Sequence, residues 1–444
     1  MTYQEFKEAV IGFAKGQGLA EYELYYTESE STTVEIYREE VKGYSTEGSM
    51  GVCFRCIIDD KAGYASTENL TEEEAESVVL RAMENAGCIE SEEKTFLHKK
   101  GDNYAVLPGN KETAPTGTEL VEAALKLQKE MYQADSRVVD GTQSYVAYGR
   151  EKYALYNSNG LDLEDAVAYA QAQGIALVSQ DGEMYDGSKD KRGSLRDFDL
   201  KDIAEKAVED AVSTIGAGGV DSGKYTVVFD SRALATLFAT YSTIFSAEAV
   251  QKGMSLLRDK EGEKIASDVV TLVDDPMYRD SCVKRTFDGE GVATYAKNVV
   301  EKGVLTTLLH NLKTAAKAGV KSTGNASKAS YAATVGISPF TFYLQPVEGT
   351  KEDFFAKTGE GIYITEVTGL HAGANPITGD FSLSSSGFMI EGGKKGRPVK
   401  GFTVSGNFFE LLKKIEKVGA DLEFIRGKWG SPSVLVKDMA IAGK

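Results

Sequence analysis

The first half of the sequence shows one order of elements twice, helix then antiparallel strands then helix, and this order restricts the chain to an α+β fold. Thr2 and Glu5 form a capping-box pattern ahead of apolar residues at helical spacing. Strand-like stretches follow between Tyr22 and Ala65, separated by polar segments such as Glu28-Ser29-Glu30 that we interpret as turns. Thr71, with an acid three residues later, caps the second helix.

A second set of elements repeats this order. Apolar residues from Leu120 to Met131 predict a helix, and Arg137 to Val178 predict strands joined by a hairpin turn at Tyr156–Gly160. Leu200 to Ala211 predict the closing helix. No residue-level repeat accompanies the shared order, so duplication stays open. The polar segment Lys99–Gly117 between the two sets is interpreted as a connector.

The chain is expected to form two domains, because 444 residues exceed what one hydrophobic core usually supports. The segment Ile215–Gly223 contains four glycines in nine residues ahead of a strand and marks the expected boundary. We predict an N-terminal domain over residues 1–218, an antiparallel sheet with flanking helices, with sub-parts of about 1–98 and 118–218. Residues 223–444 are predicted to form a β-rich domain with a few helices.

Two helices are expected in that C-terminal half. Asp230 or Ser231 caps a helix with an apolar stripe from Leu234 to Phe245, and another helix is expected near Phe408–Val418. The remainder is rich in Gly, Thr, Val and Ile, which favours strands and long loops.

Charge and hydropathy exclude several classes of partner. The formal charge of −17 repels phosphate backbones and anionic lipid, so we expect neither nucleic acid nor membrane as the main partner. Met1 to Phe13 has no signal-peptide pattern, and no stretch approaches the roughly 18 apolar residues of a membrane span, so a cytoplasmic protein is expected. Cys53 and Cys56 have the spacing of a redox or metal pair, but on a strand they face opposite sides, which favours packing.

The sequence lacks the common hydrolase and nucleotide-binding motifs. Gly218–Lys224 nearly completes a phosphate-binding loop, but Tyr225 stands where a hydroxyl must reach magnesium. The chain has three histidines, His98, His310 and His371, and none has a second histidine at metal-binding spacing. A hydrolase triad therefore has few candidates for its base.

The loop from Gly369 to Ser382 concentrates Gly, Asn and Asp with a histidine and hydroxyls between strand-like runs. This composition is typical of a loop whose backbone amides approach a ligand or another chain, and equally of a tight connection whose glycines permit positive φ. The candidate peptide-binding or interface residues are Gly369, His371, Asn375, Thr378, Gly379, Asp380 and Ser382.

Several motifs in the same order resemble the TldD/PmbA family, also called modulators of DNA gyrase, a family of zinc metallopeptidases. They are Phe287–Val292, Lys321–Asn325, Thr365–Gly369 leading into His371, and Ile441–Gly443. The resemblance spans nearly the full chain and is densest after Tyr225.

The resemblance implies that the TldD branch holds zinc with a His-Glu-x-x-x-His helix and a Cys just before a Gly-Lys. The matching positions here are Ala247, Glu248, Lys252 and Arg426. Only the acid is kept, and Ala, Lys and Arg cannot bind a dication. We therefore place the chain in the PmbA/TldE-like branch and expect no metal and no intact catalytic site. As a hypothesis, Lys252 and Arg426 replace the zinc charge beside Glu248.

The resemblance further implies a heterodimer in which a zinc-bearing TldD-like subunit degrades unfolded peptides. On this interpretation the chain is the non-catalytic partner and its C-terminal half holds extended peptide; zinc is expected only in the catalytic subunit. Two alternatives stay open, a homodimeric peptide-binding or assembly module and an active peptidase with unrecognised metal ligands. The acidic charge gives no support to a role at DNA gyrase.

Overall fold

The computed structural model describes residues 1–90, 94–108 and 113–443. The first half of the chain forms one six-stranded antiparallel sheet in the order β3-β2-β1-β4-β5-β6, with four helices packed on it. The strands are β1 (Glu21–Tyr37), β2 (Glu40–Ile58), β3 (Lys61–Thr67), β4 (Gln143–Asn157), β5 (Asp162–Gln180) and β6 (Glu183–Gly193). The helices are α1 (Tyr3–Gly16), α2 (Glu72–Gly87), α3 (Gly117–Ala134) and α4 (Leu200–Ser213).

The predicted order of helix, strands and helix is confirmed in both sets. Thr2 and Glu5 form a reciprocal capping box on α1, and the Thr71 side chain accepts from the backbone N–H of Glu74 on α2. The two sets share one sheet because β1 pairs with β4 along most of its length. The described part of the predicted connector Lys99–Gly117 has no helix or strand before α3, and residues 109–112 of it lie outside the described residues.

The prediction of a turn at Glu28-Ser29-Glu30 was wrong. These residues lie inside β1, where Glu28 pairs with Met50 of β2 on one side and Lys152 of β4 on the other. A strand with a neighbour on each side keeps its backbone hydrogen bonds even where its side chains extend into solvent, so polar composition does not end it.

The two faces of this sheet carry different residues. Cys56 belongs to the core beneath α1 and α2, whereas Cys53 packs on the opposite face with Tyr25 and Leu155. Both thiols are buried, which agrees with the predicted packing role on opposite sides of the strand.

The C-terminal half contains two six-stranded sheets, in the orders β16-β15-β14-β7-β20-β17 and β10-β9-β8-β13-β19-β18, and a small β11-β12 hairpin. The strands are β7 (Gly223–Phe229), β8 (Leu272–Asp274), β9 (Lys297–Glu301), β10 (Val304–Leu305), β11 (Ala326–Ser327), β12 (Gly336–Ile337), β13 (Phe342–Leu344), β14 (Gly361–Thr368), β15 (Asp380–Glu391), β16 (Lys394–Asn407), β17 (Ile415–Val418), β18 (Glu423–Ile425), β19 (Trp429–Ser431) and β20 (Val434–Ala442). The helices are α5 (Ser231–Tyr241), α6 (Ala247–Gln251), α7 (Leu312–Ala318), α8 (Lys351–Thr358), α9 (Leu370–Gly373) and α10 (Phe408–Lys414).

The predicted mixed α+β class is confirmed, with two corrections to the predicted helices. Asp230 caps α5 as predicted, but this helix ends at Tyr241 and Phe245 lies in a short 3-10 turn. The predicted helix over Phe408–Val418 ends at Lys414, and its last four residues form β17 instead. β17 pairs with the buried strand β20, and this pairing overrides helical spacing.

One contact between the two halves involves the family-like motif Phe287–Val292. Asp288 accepts hydrogen bonds from the backbone N–H groups of Glu290 and Val292, and its second oxygen accepts from Ala326 at 2.9 Å. Glu290 in turn lies 3.8 Å from Arg55 of the N-terminal sheet. The motif Phe287–Val292 therefore lies at the seam between the halves. None of the helices in the described part of the chain is long and apolar enough to cross a membrane.

Candidate functional site

The segment predicted from the sequence resemblance to correspond to the family's zinc helix is the five-residue helix α6. Ser246 caps it, and the Ala247 side chain is buried in the core. Glu248 points to the surface and pairs with Lys252 at 2.6 Å, in a contact whose side chains are 34% and 58% exposed. The carboxylate of Glu248 is therefore paired with the lysine that follows α6.

The segment predicted from the sequence resemblance to correspond to the family's cysteine is the turn between β18 and β19. Arg426 occupies it with a φ of 53° and an exposed side chain, and within the described residues it forms no ion pair with Glu248. Lys428 points inward and donates to Ser338 Oγ at 2.8 Å, and burial lowers the pKa of its amine. Because α6 packs beside β12, Ser338 and its neighbours lie close to both α6 and this turn.

This residue set does not fit a catalytic zinc ion. A zinc site needs about three nitrogen, sulfur or oxygen donors from the protein. Ala247 has no donor, and Lys252 and Arg426 are cations, which leaves Glu248 alone. Across the part of the chain that the structure describes, no group of three or more His, Cys, Asp or Glu side chains is close enough to hold a metal ion.

The loop from Gly369 to Ser382 uses its backbone amides on itself. Asn375 Oδ1 accepts from the N–H groups of Ile377 and Thr378, and Asn375 O accepts from Gly379 at 2.8 Å. The Asp380 N–H donates to Thr378 Oγ1. These amides are not free for a ligand, so the geometry is that of a tight connection.

The loop is also fastened to α10. Asn407 Nδ2 donates to Thr378 O and to Asp380 Oδ1, and the Phe408 N–H donates to Gly379 O. Gly379 has a φ of 84°, and a Cβ on it would lie 2.6 Å from the Phe409 ring, so glycine is required here. The loop and α10 therefore form one rigid surface.

That surface leaves several side chains of the loop exposed. His371 and Ile377 point to solvent, and Ser382 Oγ lies 3.1 Å from Ser405 Oγ. Phe409, which packs on Gly379, also lines a cavity of about 500 Å³ with Leu256, which is 58% exposed. An apolar region thus begins beside the loop.

A separate groove lies between the two halves, where β6 ends the N-terminal sheet and β18 ends a C-terminal sheet. It holds a cavity of about 200 Å³. Sequence reasoning missed this site, and the signal available was the charge run Lys189–Arg192, in a stretch for which no strand was predicted and which the structure shows as the end of β6. The cavity lining includes Lys191, Arg192, Tyr278, Phe424 and Gly427.

Comparisons with known proteins agree along the whole chain. Family models described as PmbA/TldA metallopeptidase domain 1, central domain and C-terminal domain match residues 22–86, 110–215 and 222–443. An uncharacterized protein of Methanocaldococcus jannaschii is 31% identical over 97% of this chain and 98% of its own length. Metalloprotease PmbA of Escherichia coli O157:H7 is 26% identical over 73% of this chain and 70% of its own length.

Solved structures show the same fold. A protein of Thermotoga maritima described as a modulator of a DNA gyrase superposes with a TM-score of 0.91 and 31% identity, covering 99% of this chain and 100% of its own. TldE from Thermococcus kodakarensis has a TM-score of 0.89 with the same coverage, and at 24% identity it shows the fold alone. The chain belongs to the PmbA/TldD family of metallopeptidase-like proteins.

Proposed function

We propose that this chain is the non-catalytic, PmbA/TldE-like partner of a zinc-bearing TldD-like subunit, and that the pair degrades unfolded peptides in the cytoplasm. In this arrangement the relative supplies the zinc and cuts the peptide. This chain completes the complex and forms one wall of the space that holds extended substrate. The residues Ala247, Lys252 and Arg426 at the positions of the zinc ligands motivate the assignment to this branch, and a solved neighbour with the same fold carries the name TldE.

The observation that carries the proposal is the donor set around α6. Glu248 is bound to Lys252 at 2.6 Å, Ala247 is buried without a donor atom, and Arg426 brings a second cation to the matching turn. This donor set cannot hold a Lewis acid, and Glu248 is its one member whose side chain could activate water. Hydrolysis by the family mechanism therefore belongs to the partner.

The role of the loop from His371 to Ser382 is proposed on the same basis. The backbone amides of Ile377, Thr378 and Asp380 already donate to acceptors within the loop, so we do not assign them to peptide binding. We assign the exposed side chains of the loop to contact with the partner subunit instead. Exposed apolar side chains at Ile377, Leu256 and Met254, together with Phe409 against the loop, are typical of a surface that another protein covers.

The experiment is a mixing assay with a family relative that carries His-Glu-x-x-x-His, using casein as an unfolded substrate. Cleavage is expected only when both chains are present. Replacing the motif glutamate of the relative by Gln should abolish cleavage, whereas Glu248→Gln in this chain should leave it unchanged. This pair of identical substitutions assigns the chemistry to one subunit.

Two results would count against the proposal. Casein cleavage by this chain alone, with about one zinc per chain by elemental analysis, would support the peptidase alternative. A stable homodimer that neither binds the relative nor changes its cleavage rate would support a binding or assembly module instead.

A further inference from the structure

The groove between β6 and β18 carries positive charge that no carboxylate neutralises. Lys191 and Arg192 line its cavity, and neither forms an ion pair with any described residue. In a chain with a net charge of −17, an arginine without an ion pair at a cavity favours an anionic ligand. Lys191 adds charge at the rim, since successive side chains of a strand point to opposite faces and its amine lies 6.0 Å from the centre of the Phe198 ring. The acids that line the cavity are already paired, as Asp190–Arg232, Asp280–Arg279 and Glu423–Lys189, each at 3.1 Å.

Arg192 is held in position across the groove. Its guanidinium lies 5.8 Å from the centre of the Tyr169 ring, and its Nη1 lies against Gly427 in the β18–β19 turn. The Nε atom is buried and has no hydrogen-bond partner among the residues that the structure describes. An arginine fixed in this way loses little side-chain entropy when it binds a carboxylate.

Aromatic side chains form one side of the same cavity. The rings of Tyr278 and Phe424 lie 5.0 Å apart, and Tyr343 packs against both at 5.2 and 5.8 Å. Tyr278 and Phe424 line the cavity together with Arg192. The site therefore offers a cation for a carboxylate next to a surface for an apolar group.

We propose that this groove binds the free C-terminal carboxylate of an extended peptide, with the carboxylate on Arg192 and the terminal side chain against Tyr278 and Phe424. The inference rests on the proposed peptide-holding role and names a site for it. The cavity of about 200 Å³ is smaller than the roughly 300–1,000 Å³ of pockets that enclose whole drug-sized ligands, which suits one chain terminus. Arginine is the side chain that binds carboxylates through two parallel hydrogen bonds.

The test is calorimetric titration of the full chain with acetyl-Gly-Ala-Gly-Ala-Phe as the free acid and as the C-terminal amide. The acid is expected to bind about tenfold or more tightly than the amide, the scale of a lost charge-assisted hydrogen bond. Arg192→Gln should reduce acid binding to the level of the amide. The exposed variant Lys191→Gln should weaken acid binding by about threefold, the scale of an exposed charge contact.

The matched control is Arg81→Gln, which removes the same charge from α2 beside the opposite edge of the N-terminal sheet and should leave the acid preference intact. A third peptide, the amide with glutamate in place of its second glycine, separates a terminal carboxylate from a side-chain carboxylate. Equal binding of acid and amide, equal binding of the glutamate peptide and the acid, or no binding of any peptide would overturn the inference. So would an acid preference that survives in a folded Arg192→Gln variant.

This outcome is distinct from that of the mixing assay. Peptide titration uses the isolated chain, so the carboxylate preference can fail while casein cleavage on mixing succeeds. Conversely, a preference lost in Arg192→Gln would stand even if no zinc-bearing partner were found.

Discussion

Glu23 of β1 and Arg55 of β2 stand directly opposite each other at 2.9 Å, with side chains only 1% and 2% exposed. Glu290 from the C-terminal half approaches the same guanidinium to 3.8 Å. A buried ion pair gains little over an apolar pair, but removing one partner leaves a buried charge without compensation. Glu290 therefore links this buried pair of the N-terminal sheet to the C-terminal half.

Glu23→Gln is expected to lower the free energy of unfolding by about 3–5 kcal/mol, because it leaves Arg55 short of a negative charge in a buried seam. The measurement is urea unfolding followed by circular dichroism. The matched control is Glu30→Gln in the same strand, whose partner Arg150 is 62% exposed, and its loss should cost less than about 1 kcal/mol. Similar losses in the two variants would contradict the prediction.

Gly51→Ala is expected to destabilise the seam at a second point. Tyr331, in the loop between β11 and β12, packs its ring on Gly51. A Cβ added at Gly51 would lie 2.5 Å from this ring. Such overpacking costs about 1–3 kcal/mol. Gly48→Ala in the same strand, where the nearest atom is Ser29 O at 3.7 Å, is the control. Adding Tyr331→Ala should rescue the first variant, and a double variant no more stable than Gly51→Ala would reject this account.

Local signals in the sequence predicted the elements that depend on local chemistry. The starts of α1, α2 and α5 followed from the caps at Thr2, Thr71 and Asp230, because a side chain that accepts from the first turn acts within a few residues. Asn311 and Thr350 cap α7 and α8 in the same way. The sequence therefore contained a capping signal for both helices, which an interpretation from overall composition missed.

Features set by distant contacts could not be predicted. Nothing near Phe408–Val418 shows that β20 will pair with the last four residues, and nothing near Glu23 points to Arg55 or Glu290. The groove has the same origin, because Arg192 and Gly427 are brought together only when β6 and β18 meet. The composition of the loop from Gly369 to Ser382 likewise could not distinguish two arrangements. Its backbone amides could face a ligand, or they could donate within the loop, as Ile377 and Thr378 do to Asn375.

His310 is expected to make stability fall as pH decreases below about 6.5. Its side chain is buried, and its Nδ1 has no hydrogen-bond partner in the described part of the chain. Burial lowers the pKa of His310 from the ordinary 6.5 despite the nearby charge of Glu261. Between the folded and unfolded pKa values the unfolded chain binds more protons, so this contribution is full above pH 6.5 and declines by up to about 1.4 kcal/mol per pH unit below it.

The measurement is the free energy of unfolding at pH 7.5, 6.5 and 5.5 for the wild type, His310→Gln and the exposed control His371→Gln. The His310 variant should show the shallower pH dependence even if it is less stable at every pH. The same slope in all three proteins would exclude His310 as the source.

Glu248→Gln is expected to change the free energy of unfolding by less than about 1 kcal/mol, because an exposed pair such as Glu248–Lys252 contributes little. The hypothesis that Lys252 and Arg426 together replace zinc as a structural element requires a larger loss. Glu263→Gln, which breaks the exposed pair with Lys260, is the control measured by the same thermal melt. A loss clearly greater than in this control would restore that hypothesis.

If the proposed contact is correct, Ile377→Asp weakens binding to a TldD-like subunit by about tenfold or more, because a charge would enter the apolar part of the proposed interface. Ile377 is 46% exposed on a loop that its own hydrogen bonds and Asn407 hold rigid, so the change should leave the melting temperature nearly unaltered. The control is Leu80→Asp, a side chain 43% exposed on α2. The measurement is the affinity of each variant for the TldD-like subunit by biolayer interferometry. Equal affinities of the two variants would show that this surface is not the contact, whatever the mixing assay shows.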